Sequence, residues 1–235
     1  MKIIVTKDYE ELGKVSAEIV LGIMHQPGIV NIAPTTGTTP DALYRNLIPR
    51  IKDKEYFKHV NYYSFDETPY RLSKQEGRII ANLRNMLLIP ANIAEEQIHP
   101  LTENNYLSRD EELEQLGNLD LVILGLGWDG HFCCNFPGYA KFSQKTVAIP
   151  MEGKLLEMYK QVYQDPNEIP DFLVTMGASA IMNAKRLLLM VNGEKKAGIL
   201  REMLYGEINE LVPASILRTH PNITIVVDEA AASKL

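Results

Sequence analysis

The chain alternates short apolar runs with stretches whose apolar residues recur at every third or fourth position. "KIIVT" reads as a strand, and residues 8–25 carry Leu12, Val15, Ile19 and Ile23 at the spacing of one helical face. "GIVNIAP" is the next strand and 40–51 the next helix, followed by a strand in "VNYYSFD" and a helix over 77–88. An acidic helix covers 106–117 and closes on a glycine. "LDLVILGLG" is the most hydrophobic strand; "TVAIP", "DFLVTMG", "RLLLMVNG" and "ITIVVD" add four more, with helices over 178–185 and 194–206. Near-continuous apolar strands separated by helices predict an α/β fold, a mostly parallel sheet with helices on both faces.

No internal repeat or low-complexity linker interrupts this pattern, so 1–235 is expected to form a single domain. Residues 151–170, rich in Lys, Glu, Gln and Pro, read either as a flap over a site or as a surface helix and loop. At 46% hydrophobic and 23% charged, 235 residues are enough to bury a core without disulfide or metal staples. A net charge of -6 with no basic stripe argues against nucleic acid as a partner, although a local pocket can still hold a small anion. No run is long enough for a membrane span, and the N-terminus lacks a signal-peptide layout. The two cysteines, Cys133 and Cys134, are sequence neighbours that do not readily pair, which favours a reduced, cytoplasmic setting.

In an open parallel sheet, ligands collect beyond the carboxyl ends of the strands. Three such ends carry more polar residues than a plain loop requires: "APTTGTTP", "SFDETPY" and "GLGWDGH". In the first, Thr39 suits a helix cap and Pro40 the first helical position, while Gly37 permits a tight turn. Free amides of the first turn, joined by hydroxyls of Thr36, Thr38 and Thr39, then suit an anion such as phosphate. A well-capped turn that binds nothing explains this segment equally well, and the Gly-Lys-Ser/Thr ending of a P-loop is missing. Lys196 follows the Gly193 turn at another strand end and is a second candidate for the anion.

Asp66 is expected at the end of its strand, beside Phe65 and Tyr63, where partial desolvation raises a carboxyl toward the range useful for moving protons. Asp129 and His131, two apart around Gly130, suit a carboxylate that orients an imidazole. His131, Cys133 and Cys134 are too compressed to chelate one zinc ion, and a Cys-Cys pair among apolar residues reads as buried packing. His220 has no evident partner and reads as structural.

In order and spacing, "TTGTTPDALY", "SFDETPY", "LVILGLGWDGHFCCNFPG", "LVTMGASAIMNAKRLLLMVNGEKKAGIL" and "PASILRTHPNITIVVDEAAAS" resemble the glucosamine-6-phosphate deaminase (isomerase) family over nearly the whole chain. The resemblance implies a Rossmann-like fold converting glucosamine 6-phosphate to fructose 6-phosphate and ammonia, without metal or organic cofactor. It implies Asp66 as the base moving a proton between C2 and C1, and His131, held by Asp129, as the aid to ring opening. It also implies Thr36, Gly37, Thr38, Thr39 and Lys196 as the phosphate grip, with Lys160 in the place of a phosphate-binding arginine.

One departure stands out. The deaminases carry a glutamate directly before the proline where this chain has Phe136, and "FPG" and Asn82 resemble the related 6-phosphogluconolactonases instead. Thr68 and Asp171, where those lactonases carry arginines, point back to the deaminases. The expectation is therefore deamination of a phosphorylated amino sugar with ring opening weakened, the alternatives being a sugar-phosphate lactonase and a non-catalytic sugar-phosphate sensor. Oligomeric state is open.

Overall fold

The computed structural model describes all 235 residues. Ten strands appear in chain order: β1 (Lys2–Thr6), β2 (Val30–Ala33), β3 (Val60–Tyr63), β4 (Asp66–Glu67), β5 (Ile98–His99), β6 (Leu121–Gly125), β7 (Val147–Pro150), β8 (Phe172–Thr175), β9 (Leu187–Val191) and β10 (Ile223–Asp228). Eight α-helices lie among them: α1 (Tyr9–Met24), α2 (Asp41–Ile51), α3 (Arg78–Leu83), α4 (Arg109–Gln115), α5 (Gly153–Lys160), α6 (Ala178–Met182), α7 (Ala197–Tyr205) and α8 (Glu229–Ala232). Seven strands form a parallel sheet in the order β1-β10-β9-β6-β2-β3-β5, as the apolar runs predict.

Alternation along β6 shows how the sheet is sandwiched. Leu121 and Ile123 enter a core shared with α1, α2 and α3, while Val122 and Leu124 enter a second core shared with α4, α6, α7 and α8. Each of those buried aliphatic side chains contributes roughly 1.5–3 kcal/mol relative to exposure. α1 is fixed at its start by Asp8, whose carboxylate accepts from the Glu11 amide at 2.8 Å.

Several expectations are corrected. "TVAIP" and "DFLVTMG" leave the parallel sheet and build a separate antiparallel sheet in the order β4-β8-β7. The strand in "VNYYSFD" ends at Tyr63; Asp66 belongs to that second sheet, directly opposite Thr175. The helix over 77–88 becomes a π turn after Leu83, and the acidic helix starts only at Arg109. Pro40, not Thr39, occupies the cap of α2, because the Thr39 hydroxyl turns to Asn192 Oδ1 at 2.9 Å. Residues 151–170 contain α5 and a short 3-10 turn, with Leu155 and Tyr159 packed on a nine-residue apolar cluster over the small sheet.

The chain moves from β2 outward to β3 on one side and later returns to β6 on the other. This reversal opens a crevice at the carboxyl ends of β2 and β6.

Candidate active site

Loops following β3, β2, β6 and β9 all reach that crevice. They line a cleft of about 360 Å³ that contains Thr35 to Thr39, Phe65, Asp66, Gly127, His131, Phe136, Tyr159 and Lys196. The volume falls within the roughly 300–1,000 Å³ of small-ligand sites. Thus Asp66, His131, Thr36, Gly37, Thr38, Thr39 and Lys196 converge, and Asp129 stands directly behind His131.

The anion side is made chiefly by backbone. Tyr44 donates to the Thr35 carbonyl at 2.5 Å, and the Tyr9 hydroxyl lies 2.7 and 3.1 Å from the carbonyls of Thr38 and Thr39. With these carbonyls held by the tyrosines and Gly37 at φ +94°, the amides of Thr36 to Thr39 donate to no protein acceptor. Unpaired amides at the entrance to α2 form a cradle for an anion. Lys196 adds the charge. It lies half-buried in the cleft wall, has no acidic partner among the ion pairs, and burial pulls its ammonium below the ordinary lysine range. Its loop is pinned where the Gly193 amide meets both oxygens of Asp228 at 3.0 Å.

The opposite side holds the cleft's buried carboxyl and its imidazole. Asp66 is 5% exposed, and burial raises its carboxyl to about 7. The Thr175 hydroxyl at 2.5 Å, the Cys134 amide at 3.1 Å, the Cys134 thiol and the nearby imidazole of His131 oppose that rise by favouring the carboxylate. A carboxyl poised near neutrality is suited to general-base work. Asp129 accepts from the His131 ring at Nδ1 (2.5 Å) and from its amide (3.1 Å). Burial works against the Asp129 carboxylate, but those bonds outweigh it and leave its pKa lowered. Nδ1 therefore carries hydrogen, and the other ring nitrogen has no protein partner and is free for a ligand.

Gly127 makes this placement possible. A Cβ there would stand 2.2 Å from His131 Nδ1, so any side chain displaces the ring. Phe136 packs against the imidazole with ring centroids 4.7 Å apart and a tilt of 52°, giving it an apolar neighbour where the resemblance implies a carboxylate. Cys133 and Cys134 both line the cleft, but burial pushes their thiols well above the ordinary range, consistent with packing rather than nucleophilic duty.

Lys160 requires correction: it does not line the cleft. The inner face of α5 is occupied by Leu155 and Tyr159, which leaves Lys160 in solvent, bonded to Glu157 at 2.6 Å. His220 is buried and structural, its ring bonded to the Ala184 carbonyl and the Asn222 amide. Reading the sequence alone missed Thr175, Gly127, the two tyrosines beneath the threonine turn, and Glu67. The Glu67 carboxylate accepts from the amides of Ile79 and Ile80 and so caps α3. A lone threonine inside the apolar "DFLVTMG" was the available signal for Thr175.

A doubly wound sheet whose switch-point cleft joins unpaired amides and a lysine to a buried carboxyl and an oriented imidazole defines a class of α/β proteins with a site suited to acid–base chemistry on a small anionic ligand. Similar proteins narrow that class. The glucosamine-6-phosphate deaminase of Clostridium acetobutylicum is 34% identical over 245 residues, spanning 100% of both chains, and that of Thermoanaerobacter pseudethanolicus is 33% identical over 99% of this chain and 94% of its own. A solved monomeric glucosamine-6-phosphate deaminase superimposes with a TM-score of 0.84 at 26% identity over 100% of both chains. The 6-phosphogluconolactonase of Trypanosoma cruzi shares the fold, with a TM-score of 0.72 at 22% identity over 100% of this chain and 96% of its own. The chain belongs to the glucosamine-6-phosphate isomerase/6-phosphogluconolactonase family, whose sequence profile matches residues 9–226.

Proposed function

We propose that the chain is a single-domain enzyme that isomerises and deaminates glucosamine 6-phosphate to fructose 6-phosphate and ammonia. One observation carries this reading: unpaired amides with a lone ammonium line one side of a cleft whose other side presents Asp66 and His131. The phosphate rests on Thr36 to Thr39 and Lys196, which fixes the sugar chain relative to the base. His131, oriented by Asp129, moves the proton that opens the ring. Asp66 then takes the proton from C2, which is acidic because C1 is now an aldehyde, and returns it to C1. The resulting imine at C2 is hydrolysed by water, releasing ammonia.

Phe136 favours a second reading, a sugar-phosphate lactonase in which His131 activates water and Asp66 matters less. Ammonia release from glucosamine 6-phosphate, measured beside hydrolysis of 6-phosphogluconolactone, separates the two. The first reading expects ammonia to be the faster product, and lactone hydrolysis alone would overturn it. Tight binding of a hexose phosphate with no product from either substrate would instead indicate a sensor. The free cysteines fit a reducing, cytoplasmic setting, and no helix is long and apolar enough to cross a membrane.

A further inference from the structure

The fold treats the two oxygens of Asp66 differently. Oδ1 accepts from the Thr175 hydroxyl at 2.5 Å and from the Cys134 amide at 3.1 Å, and the Cys134 thiol adds a weaker S–H bond to the carboxyl, whereas no N–H or O–H of the protein donates to Oδ2. Thr175 is completely buried in the middle strand of the small sheet, in register with Asp66 and flanked in sequence by Val174 and Met176. A hydroxyl buried among apolar residues needs a partner, and this one spends its single hydrogen on the carboxylate while accepting from the Cys134 amide at 3.3 Å. Its other acceptor within reach, the Met176 carbonyl, is farther away at 3.3 Å.

We propose that Thr175 is a positioning residue for proton transfer: by donating to Oδ1 it fixes the rotation of the Asp66 carboxyl and leaves Oδ2 as the oxygen that takes and returns the substrate proton. An oxygen already accepting two hydrogen bonds is the poorer site for a third hydrogen, so the C–H bond that breaks passes its proton to Oδ2, and the electron pair stays with the sugar. The inference rests on Asp66 being the base.

The titratable groups around Asp66 are His131, Cys133 and Cys134 from the loop after β6 and Tyr159 from α5, while Glu67 turns toward the α3 amides. A substitution at 175 leaves all of them in place. Removing the hydroxyl withdraws a bond that favours the charged form, so the carboxyl must titrate at higher pH.

The test compares Thr175→Val and Thr175→Ser in the full chain, with Thr175→Ala as a second hydroxyl-free variant if valine impairs folding. The readouts are the Asp66 carboxyl titration, followed by carbon-13 NMR, and the pH profile of ammonia release. Removing the hydroxyl is expected to move both midpoints upward by about one pH unit. It should also lower kcat at pH 7 roughly 10- to 100-fold with KM changed less than about 3-fold, and serine should restore both. Unmoved midpoints in a folded hydroxyl-free variant, or equal damage from serine, would overturn the proposal. Because the carboxyl titration needs no turnover, a parent chain inactive on glucosamine 6-phosphate would sink the proposed function while leaving the Thr175 test readable.

Discussion

The threonine-turn side of the cleft and its Asp66 side are built in opposite ways. The threonine turn and Lys196 follow strands of the seven-stranded sheet, which has a 26-residue apolar cluster on each face. The grip itself is mostly main chain, its carbonyls restrained by the hydroxyls of Tyr9 and Tyr44 rather than by charged partners. Asp66 lies instead in a sheet of three short strands over a nine-residue cluster. Its carboxyl depends on Thr175, 109 positions away, and on an amide 68 positions away. A backbone cradle tolerates many side-chain changes, whereas a buried carboxyl held by a few distant donors does not. The two sides should therefore fail differently.

The largest effect is expected at the base. Asp66→Asn should lower ammonia release at least about 1,000-fold while binding of inorganic phosphate, followed by fluorescence of Trp128, the chain's sole tryptophan at the cleft rim, stays within about 3-fold. The same variant probes stability. Because the folded carboxyl is raised from 3.8 to about 7, the folded state binds an extra proton between those values. Its stability therefore falls as pH rises from about 4 to about 7 and stays low above that. Asp66→Asn removes the penalty, so its Tm advantage over the parent should grow across that window, reaching several degrees at pH 8. The catalytic profile has the same origin: kcat/KM should fall as pH drops through about 7, where the base becomes protonated.

Next comes the imidazole. Gly127→Ala places a methyl group 2.2 Å from His131 Nδ1 and should cost roughly 100-fold in kcat with phosphate affinity little changed. The anion side should show the converse. Lys196→Met should raise KM roughly 10- to 100-fold, the loss of one charge-assisted contact, with kcat falling less. Phe136→Glu restores a carboxylate beside His131 and should raise ammonia release several-fold, at a stability cost of about 1–3 kcal/mol for a carboxyl in an apolar cluster. Lys160→Ala should change turnover less than about 2-fold, because that ammonium faces solvent. A large effect there, or a binding defect in Asp66→Asn, would erase the contrast between the two sides.

What was legible in the sequence follows the same division. The parallel sheet, its two helical layers and the threonine turn rest on local patterns, apolar runs and glycine placement, and these survive folding almost unchanged. Asp129 and His131 were legible because their partnership spans only two residues. The second sheet was hidden because "TVAIP" and "DFLVTMG" are as apolar as strands of the main sheet, and nothing local distinguishes their partners. Thr175 meets Asp66 only when β4 pairs with β8. Lys160 misled because position along the chain does not reveal which face of α5 meets the cleft, and Tyr159 takes that face.

The central claim is that one cleft holds the phosphate on one side and the reacting carbons against Asp66 on the other. A crystal structure of Asp66→Asn with glucosamine 6-phosphate bound tests it most directly. The account predicts the phosphate on the Thr36 to Thr39 amides and Lys196, with C2 about 3–3.5 Å from residue 66 and the ring oxygen facing His131. A sugar phosphate seated elsewhere, or bound here with C2 turned away from residue 66, would contradict it.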